Sequence, residues 1–389
     1  MRKLSRRAGR LSESVTLALD TRAKALIAKG ERVIRFGVGE PDFDTPEHIK
    51  EAARRALAGR VGGYTPVAGT PELRQAVAAA FRETGVAAEP QGVIASCGVK
   101  HSLFNALAVL LDDGDEAILP APYWVSYPSM IQAAGAREVV VDTRADGCVL
   151  TPERLARALT PRSRVLILVS PSNPTGVTMT RAQMAALGEV LARHPDVTIV
   201  SDEIYEHLVY DDAEFVPFAV ACPALADRTV TVRGVSKSFA MTGWRIGYAT
   251  GPRDVIDAMI RFQSHTTSNP TAIAQVATIA ALTGPMEPIQ RMREAFDRRR
   301  RLMVRRLGEI AGFSLVPPTG AFYCFPDIAG CLRGRTALQF TEELLEQERV
   351  VTVPGEAFGA PTNIRLSYAC SEADIEEGCA RLKRFAEAK

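Results

Sequence analysis

The sequence predicts an α/β protein: a large domain in which helices sandwich a mainly parallel sheet, with a smaller α+β domain beside it. Three observations carry this. Short apolar runs alternate with amphipathic stretches of helical spacing through most of the chain. Many of the runs are continuously apolar, such as RVLILV at 164–169, as in strands buried on both faces. Near residue 285 the texture changes to one long Arg-rich helix and several short strands. The 389 residues suffice for more than one core. We expect residues 1–45 as an N-terminal segment contributing to the small domain, 46–285 as the large domain and 286–389 as the small C-terminal domain.

Residues 15–29 have helical spacing, and RVIRF at 32–36 reads as a short strand. The loop GVGEPDFDTP follows, rich in turn residues. Thr45 and Pro46 open a helix that ends at Gly59, and Thr70 and Pro71 repeat the device up to Gly85. Strands are expected at 92–96, 115–119, 137–141, 164–169, 197–201, 228–232 and 246–250, with helices between most of them. The Arg-rich helix MREAFDRRRRLMVRRLGEI has an apolar stripe of Leu302, Met303, Leu307 and Ile310, so its arginine run at 298–301 reads as a solvated face. Short strands are expected at 313–316, 321–325, 350–353 and 363–368, and a closing helix at 372–387.

Composition narrows the function. With 47% hydrophobic and 24% charged residues, the chain is neither disordered nor a fibrous repeat. A net charge of +2 leaves no electrostatic footprint for nucleic acid. Arg2, Lys3, Arg6, Arg7 and Arg10 read as a solvated lead-in rather than a nucleic-acid arm. The seven cysteines are scattered without a C-x-x-C pair, which argues against a disulfide framework and a zinc site. The N-terminus has no apolar signal core, and no run approaches the roughly 18 apolar residues of a membrane span. A cytoplasmic protein without membrane contact is expected.

In a mainly parallel sheet, ligands sit beyond the carboxyl ends of the strands. The chemistry-bearing residues cluster there. Asp202 and Tyr205 follow the strand VTIV. A carboxylate at that place is costly without a positive partner. Lys237 lies between Ser236 and Ser238, and Arg245 comes eight residues later. Such a lysine can form a Schiff base with a carbonyl, and its neighbours can hold phosphate. Asn173 sits in the stiff turn PSNPTG. Ser96 and Gly98 precede a helix start near Lys100, where free backbone N–H groups favour an anion. Trp124 in PYWVSY offers a flat face. Alone, Asp202 and Tyr205 read as a cap and a core residue, Asn173 as a turn and Trp124 as core, whereas Arg245 and two serines around Lys237 speak against a plain surface lysine. Together they meet the needs of pyridoxal 5'-phosphate, an electron sink. It wants an amine for its aldehyde, a carboxylate at its ring nitrogen, donors to its ring oxygen and an anion site.

At this point the sequence resembles the class I aminotransferases of the aspartate aminotransferase fold. GVGEPDFDTP, GGYTPVAGTPELR, PYWVSY, SPSNPTG, VSDEIYEHLVY, VSKSFAMTGWRIGY, PTGAFY and NIRLSYACS appear in the family's order across nearly the whole chain. The likeness is strongest to bacterial aspartate aminotransferases and to relatives that also act on prephenate. It implies a pyridoxal phosphate-dependent, ping-pong transfer between an L-amino acid, aspartate or another acidic one, and a 2-oxo acid. It implies Lys237 as the Schiff-base lysine and proton shuttle, with Asp202 on the pyridine nitrogen. Tyr205 and Asn173 would bond the ring oxygen, and Trp124 would stack on the ring. Ser236, Arg245 and the backbone at Gly98 and Val99 would hold the phosphate. Tyr64 would reach the phosphate of a partner subunit, which implies a homodimer with shared sites. Arg365 would grip the substrate α-carboxylate, and the Gly39 backbone would close over it.

Substrate choice points to Lys100 as reader of a distal carboxylate, with a further phosphate contact as its other reading. Thr16, with Ser14, would help from the N-terminal segment. Arg261 and His265 lie in the right region for such a role, but their spacing differs. The same scaffold also hosts β/γ-elimination, replacement and carbon–carbon bond formation, which is the alternative reading. A dinucleotide loop at 37–39 is rejected for want of a third glycine and a following helix. A transcription-regulator reading would need a DNA-binding module ahead of a pattern that begins near residue 1.

Overall fold

The computed structural model describes residues 5, 9 and 15–388, with residues 15–18 and 20 described by backbone alone. Arg2, Lys3, Arg6, Arg7, Arg10 and Ser14 lie outside the described residues, as does the side chain of Thr16. Among the described residues, twelve strands follow in chain order: β1 (Ile34–Arg35), β2 (Val93–Ser96), β3 (Glu116–Ala121), β4 (Arg137–Asp142), β5 (Ser163–Val169), β6 (Thr198–Asp202), β7 (Thr229–Gly234), β8 (Gly247–Thr250), β9 (Tyr323–Cys324), β10 (Val350–Val351), β11 (Val353–Pro354) and β12 (Ile364–Ser367).

Seven of them form one sheet in the order β2-β8-β7-β6-β5-β3-β4. Strand β8 runs against both of its neighbours, and the remaining pairs are parallel. The continuous apolar runs are explained by burial on both faces. Val165 and Ile167 of β5 pack in one cluster with Val99, Leu103 and Leu107 of the helix Val99–Leu110. Leu166 and Leu168 point the other way, onto Met184, Leu187 and Leu191 of the helix Arg181–Leu191. Strands β11, β12 and β9 form a small antiparallel sheet beside the helix Glu287–Gly308. Strand β1 pairs in parallel with β10, and Leu19 and Ala23 pack on Leu345 and Val351.

Three expectations need correction. The stretch 313–316 forms no strand, only a bridge between Ser314 and Asp327. Pro317 and Pro318 follow directly and supply no ladder donors. Arg300 is not on a solvated face: it is 5% exposed and paired with Asp211 and Asp297. The Pro318 carbonyl accepts from its Nη1. Helical spacing turns one residue of any four-residue run inward, and here two carboxylates neutralise it. Thr45 does not cap its helix, which starts at Glu47 after Pro46. Its hydroxyl instead donates to the Ala240 carbonyl and accepts from Trp244 Nε1, tying the GVGEPDFDTP loop to the segment after Lys237. Thr70 does cap, accepting from Leu73 N, with Pro71 in the first turn.

Candidate active site

The carboxyl ends of β2, β5, β6 and β7 lie at one edge of the sheet. Because β8 runs the opposite way, its start lies at that edge too. Residues before β8, such as Arg245, therefore meet residues after the others. A cavity of about 520 Å³ opens there. Its wall includes Gly39, Val99, Lys100, Trp124, Asn173, Asp202, Tyr205, Ser236, Lys237, Arg245 and Arg365, drawn from segments far apart in the chain. Four cations line it against two carboxylates, Glu40 and Asp202. Such a chamber suits an anionic ligand.

Lys237 is reached three residues after β7 ends. Its Nζ donates to the Gly39 carbonyl at 2.5 Å. Burial pushes its pKa down to about 8, with Arg365 and Arg245 adding to the fall and Glu40 opposing it. An amine so placed carries its proton weakly and can act as a nucleophile near neutral pH. Asp202, the last residue of β6, is 3% exposed. Tyr127 donates its hydroxyl to Oδ2 at 2.7 Å, and the Ile204 N–H donates to Oδ1 at 3.2 Å. Burial nevertheless pushes its pKa up to about 6 against those two bonds. No arginine or lysine is hydrogen-bonded to it among the described residues, so a ligand cation would complete it.

Tyr205 shares a hydrogen bond with Tyr323, hydroxyl to hydroxyl, at 3.0 Å. Trp124 meets Tyr127 edge to face at 5.4 Å between centroids, and the Lys100 ammonium lies 5.0 Å from the Trp124 ring centre. Arg365 is 5% exposed. It donates through Nη1 to Asn173 Oδ1 and through Nη2 to the Gly37 carbonyl, both at 3.0 Å. Its Nε is buried without a partner, a donor left for a ligand. With Asn173 Oδ1 committed to Arg365, the Nδ2 group remains as that residue's donor.

The anion cup is built by close packing. Gly98 precedes the helix Val99–Leu110, and no side chain caps its first N–H groups. Gly98 has φ +91, and a Cβ there would stand 2.5 Å from Arg245 Nη2. A Cβ on Gly247 would stand 2.2 Å from the Val99 N. The two glycines thus let the helix start, β8 and the Arg245 guanidinium converge. Gly98 itself is behind the wall rather than on it.

Some expected residues are elsewhere. Tyr64 is 95% exposed and does not reach the cavity of its own chain. Arg261 and His265, at the end of the helix Arg253–Ser264, do not line it either. Four wall residues with polar side chains were not singled out in the sequence: Glu40, Tyr127, Thr242 and Tyr323. Each lies inside a quoted motif (GVGEPD, PYWVSY, AMTGW and PTGAFY), but a tyrosine flanked by apolar residues reads as core until its partner is known.

The comparisons decide the family. Residues 31–382 match the model described as aminotransferase class I and II. The chain belongs to that family. It is 50% identical to the aspartate/prephenate aminotransferase of Cereibacter sphaeroides, with 98% of each chain covered. It is 48% identical to the aspartate aminotransferase of Geobacillus stearothermophilus over the full length of both. The solved aspartate aminotransferase of Thermus thermophilus with maleate superposes with a TM-score of 0.94 at 44% identity, covering 99% of this chain and 100% of that one. The α/β fold and the aminotransferase reading both hold, and the alternative chemistries are set aside. This aminotransferase takes an amino acid and a 2-oxo acid, and its family depends on pyridoxal phosphate. The residues present fit that cofactor: an uncapped helix start with two glycine approaches for a phosphate, a buried unpaired carboxylate for a ring cation, and a buried amine for an aldehyde. No helix among the described residues is long and apolar enough to cross a membrane.

Proposed function

We propose that this aminotransferase moves the amino group of L-aspartate, or of another acidic amino acid, to a 2-oxo acid in a ping-pong cycle. The observation that carries the reading is the buried Lys237 amine, held by one carbonyl in the same cavity as Asp202 and Arg365. Bound pyridoxal phosphate supplies the electron sink for the pair left when a Cα proton departs. Lys237 Nζ would move that proton, acting as base and then as acid. Asp202 would hold the ring nitrogen and favour its protonated form. Tyr205 and Asn173 would donate to the ring oxygen, and Trp124 would cover the ring. Ser236, Arg245 and the backbone at Gly98 and Val99 would hold the phosphate. Arg365 binds the α-carboxylate, and the Gly39 backbone closes over it.

Lys100 supports the acidic preference. It is a wall cation beyond those that Lys237, Arg245 and Arg365 supply. Lys100 is exposed in the single chain, yet the packing around its amine and the charge of Arg245 hold its pKa down, so a second carboxylate would relieve it. The Thermus relative was solved with maleate, a four-carbon dicarboxylate, which is consistent with this. The test is the absorbance of the purified yellow protein with excess L-aspartate and no oxo acid. Bleaching of the yellow band is expected, and a band that aspartate leaves untouched would remove aspartate as donor. Lys100→Ala should lower kcat/KM for aspartate about 10- to 100-fold and leave that for alanine within about threefold. An equal loss for both, with weaker cofactor retention, would make Lys100 a phosphate ligand instead.

We also propose a homodimer with shared sites. Tyr64 is 95% exposed, and its neighbour Thr65 is fastened to Gln275 of the helix Ala272–Thr283. That helix carries no charged residue, and its Val276 is exposed, as is Leu57 of the helix packed against it. These features support a second copy on this face, with Tyr64 reaching its phosphate. The division at residues 45 and 285 is kept as our reading of the domains, supported by the pairing of β1 with β10.

A further inference from the structure

Tyr323 has no role in the reading above, yet it touches both halves of the site. Its ring lies under Arg365, with the guanidinium carbon 4.6 Å from the ring centre. Its hydroxyl meets the Tyr205 hydroxyl at 3.0 Å. Both tyrosines are buried, and no other hydrogen-bond partner of either hydroxyl is found among the described residues. The approach is tight, since a Cβ on Gly39 would stand 3.2 Å from the Tyr323 oxygen. We propose that Tyr323 is a positioning residue that acts through Tyr205: it donates its proton to the Tyr205 oxygen and frees the Tyr205 proton for the cofactor ring oxygen. This rests on the role proposed for Tyr205.

The direction follows from counting protons. Each hydroxyl has one proton to give. If Tyr205 gives its own to the ring oxygen, the Tyr205–Tyr323 bond must be donated by Tyr323. A hydroxyl that accepts a hydrogen bond also becomes a stronger donor, so the pair is cooperative. Burial raises the pKa of both phenols well clear of neutral pH, so both keep their protons. The charged groups facing the pair are Arg365 over the Tyr323 ring, Asp202 and Arg365 toward Tyr205, and Glu40 toward Tyr323. The same ring orients Arg365, so one side chain serves the α-carboxylate anchor with its face and the cofactor with its hydroxyl.

Phenylalanine separates the two, because it keeps the face and deletes the hydroxyl. The proton that sets the colour of the loaded protein is shared between the lysine nitrogen and the ring oxygen. A donor at that oxygen competes with it and lowers the pH at which it leaves. Weakening the donor therefore raises that pH. The experiment is a spectrophotometric pH titration of the yellow holoprotein for wild type, Tyr323→Phe, Tyr205→Phe and the double variant, with KM for aspartate beside it. Tyr205→Phe should raise the midpoint by about one unit or more, and Tyr323→Phe by roughly half a unit to one unit. The double variant should match Tyr205→Phe alone, because Tyr323 acts only through Tyr205. KM should stay within about threefold in Tyr323→Phe and rise at least about tenfold in Tyr323→Ala, which loses the face under Arg365. A midpoint unmoved in Tyr323→Phe but moved in Tyr205→Phe overturns this proposal and leaves the role of Tyr205 standing. A midpoint unmoved in Tyr205→Phe overturns both. Additive shifts in the double variant also overturn it, since they would mean an independent route.

Discussion

Lys237→Ala is expected to lower turnover by at least about 10⁴-fold while the protein still takes up pyridoxal phosphate. Among the described residues the amine has one hydrogen-bond acceptor, the Gly39 carbonyl, so its removal disturbs little else. Asp202 and the Gly98–Val99 backbone stand on other segments, and the neighbouring Ser236 and Arg245 keep their own side chains. Cofactor that stays with the variant through gel filtration, together with lost turnover, is the expected pair of results. Turnover within about a hundredfold of wild type would end the assignment of Lys237 as proton carrier. The same residue has a signature in the cofactor-free protein. Its folded pKa of about 8 lies below the ordinary 10.5. Between those values the unfolded chain holds a proton that the folded chain has released, so stability rises with pH through that window. The cost of burying the charge is full below pH 8 and relieved by about 10.5, on the order of 3 kcal/mol. Urea titrations of the cofactor-free wild type and variant should differ by a gap that closes as pH rises. The alanine variant should be the more stable below pH 8.

The sheet and its loaded edge were legible because burial on both faces leaves a continuous apolar run that no turn interrupts. RVLILV ends where β5 ends, and VTIV runs into Asp202. Strand direction was not legible. GYAT reads as one more parallel strand, yet β8 runs opposite to its neighbours. That reversal is what delivers Arg245 to the edge and lets Gly247 pass against the Val99 backbone. The inward turn of Arg300 was hidden for a similar reason. Its partner Asp211 comes from a loop 89 positions away, and nothing local distinguishes it from Arg298 or Arg301. Tyr127 and Tyr323 were missed because their chemistry is relational. A tyrosine in an apolar context is ordinary core, and only the placement of Asp202 and Tyr205 beside them makes their hydroxyls matter. Tyr64 is the converse case. The sequence motif marks it, but the single chain leaves it in solvent, so the role proposed for it needs a second copy.

Asp202→Asn is expected to cut kcat by roughly 10² to 10⁴, with KM for aspartate little changed. The side chain is 3% exposed, and burial already pushes its pKa up to about 6. A carboxylate under that strain gains most from a cationic partner, and a protonated ring nitrogen is the partner the reading supplies. Asparagine keeps the shape. Its oxygen can accept the Ile204 N–H, and its amide can donate to a Tyr127 hydroxyl that turns to receive it. What is lost is the negative charge, and with it the hold on the ring proton. A variant within about tenfold of wild type would remove Asp202 from that role. Tyr127→Phe gives the graded companion. The Tyr127 hydroxyl, at 2.7 Å, holds the Asp202 pKa down against burial. Without it the pKa rises further, and the carboxylate takes up its proton at a higher pH as the solution is acidified. The acid limb of the kcat profile should therefore move upward in Tyr127→Phe, while the alkaline limb, which does not involve Asp202, stays in place. An acid limb that stays put would mean that the ionisation of Asp202 does not govern the rate.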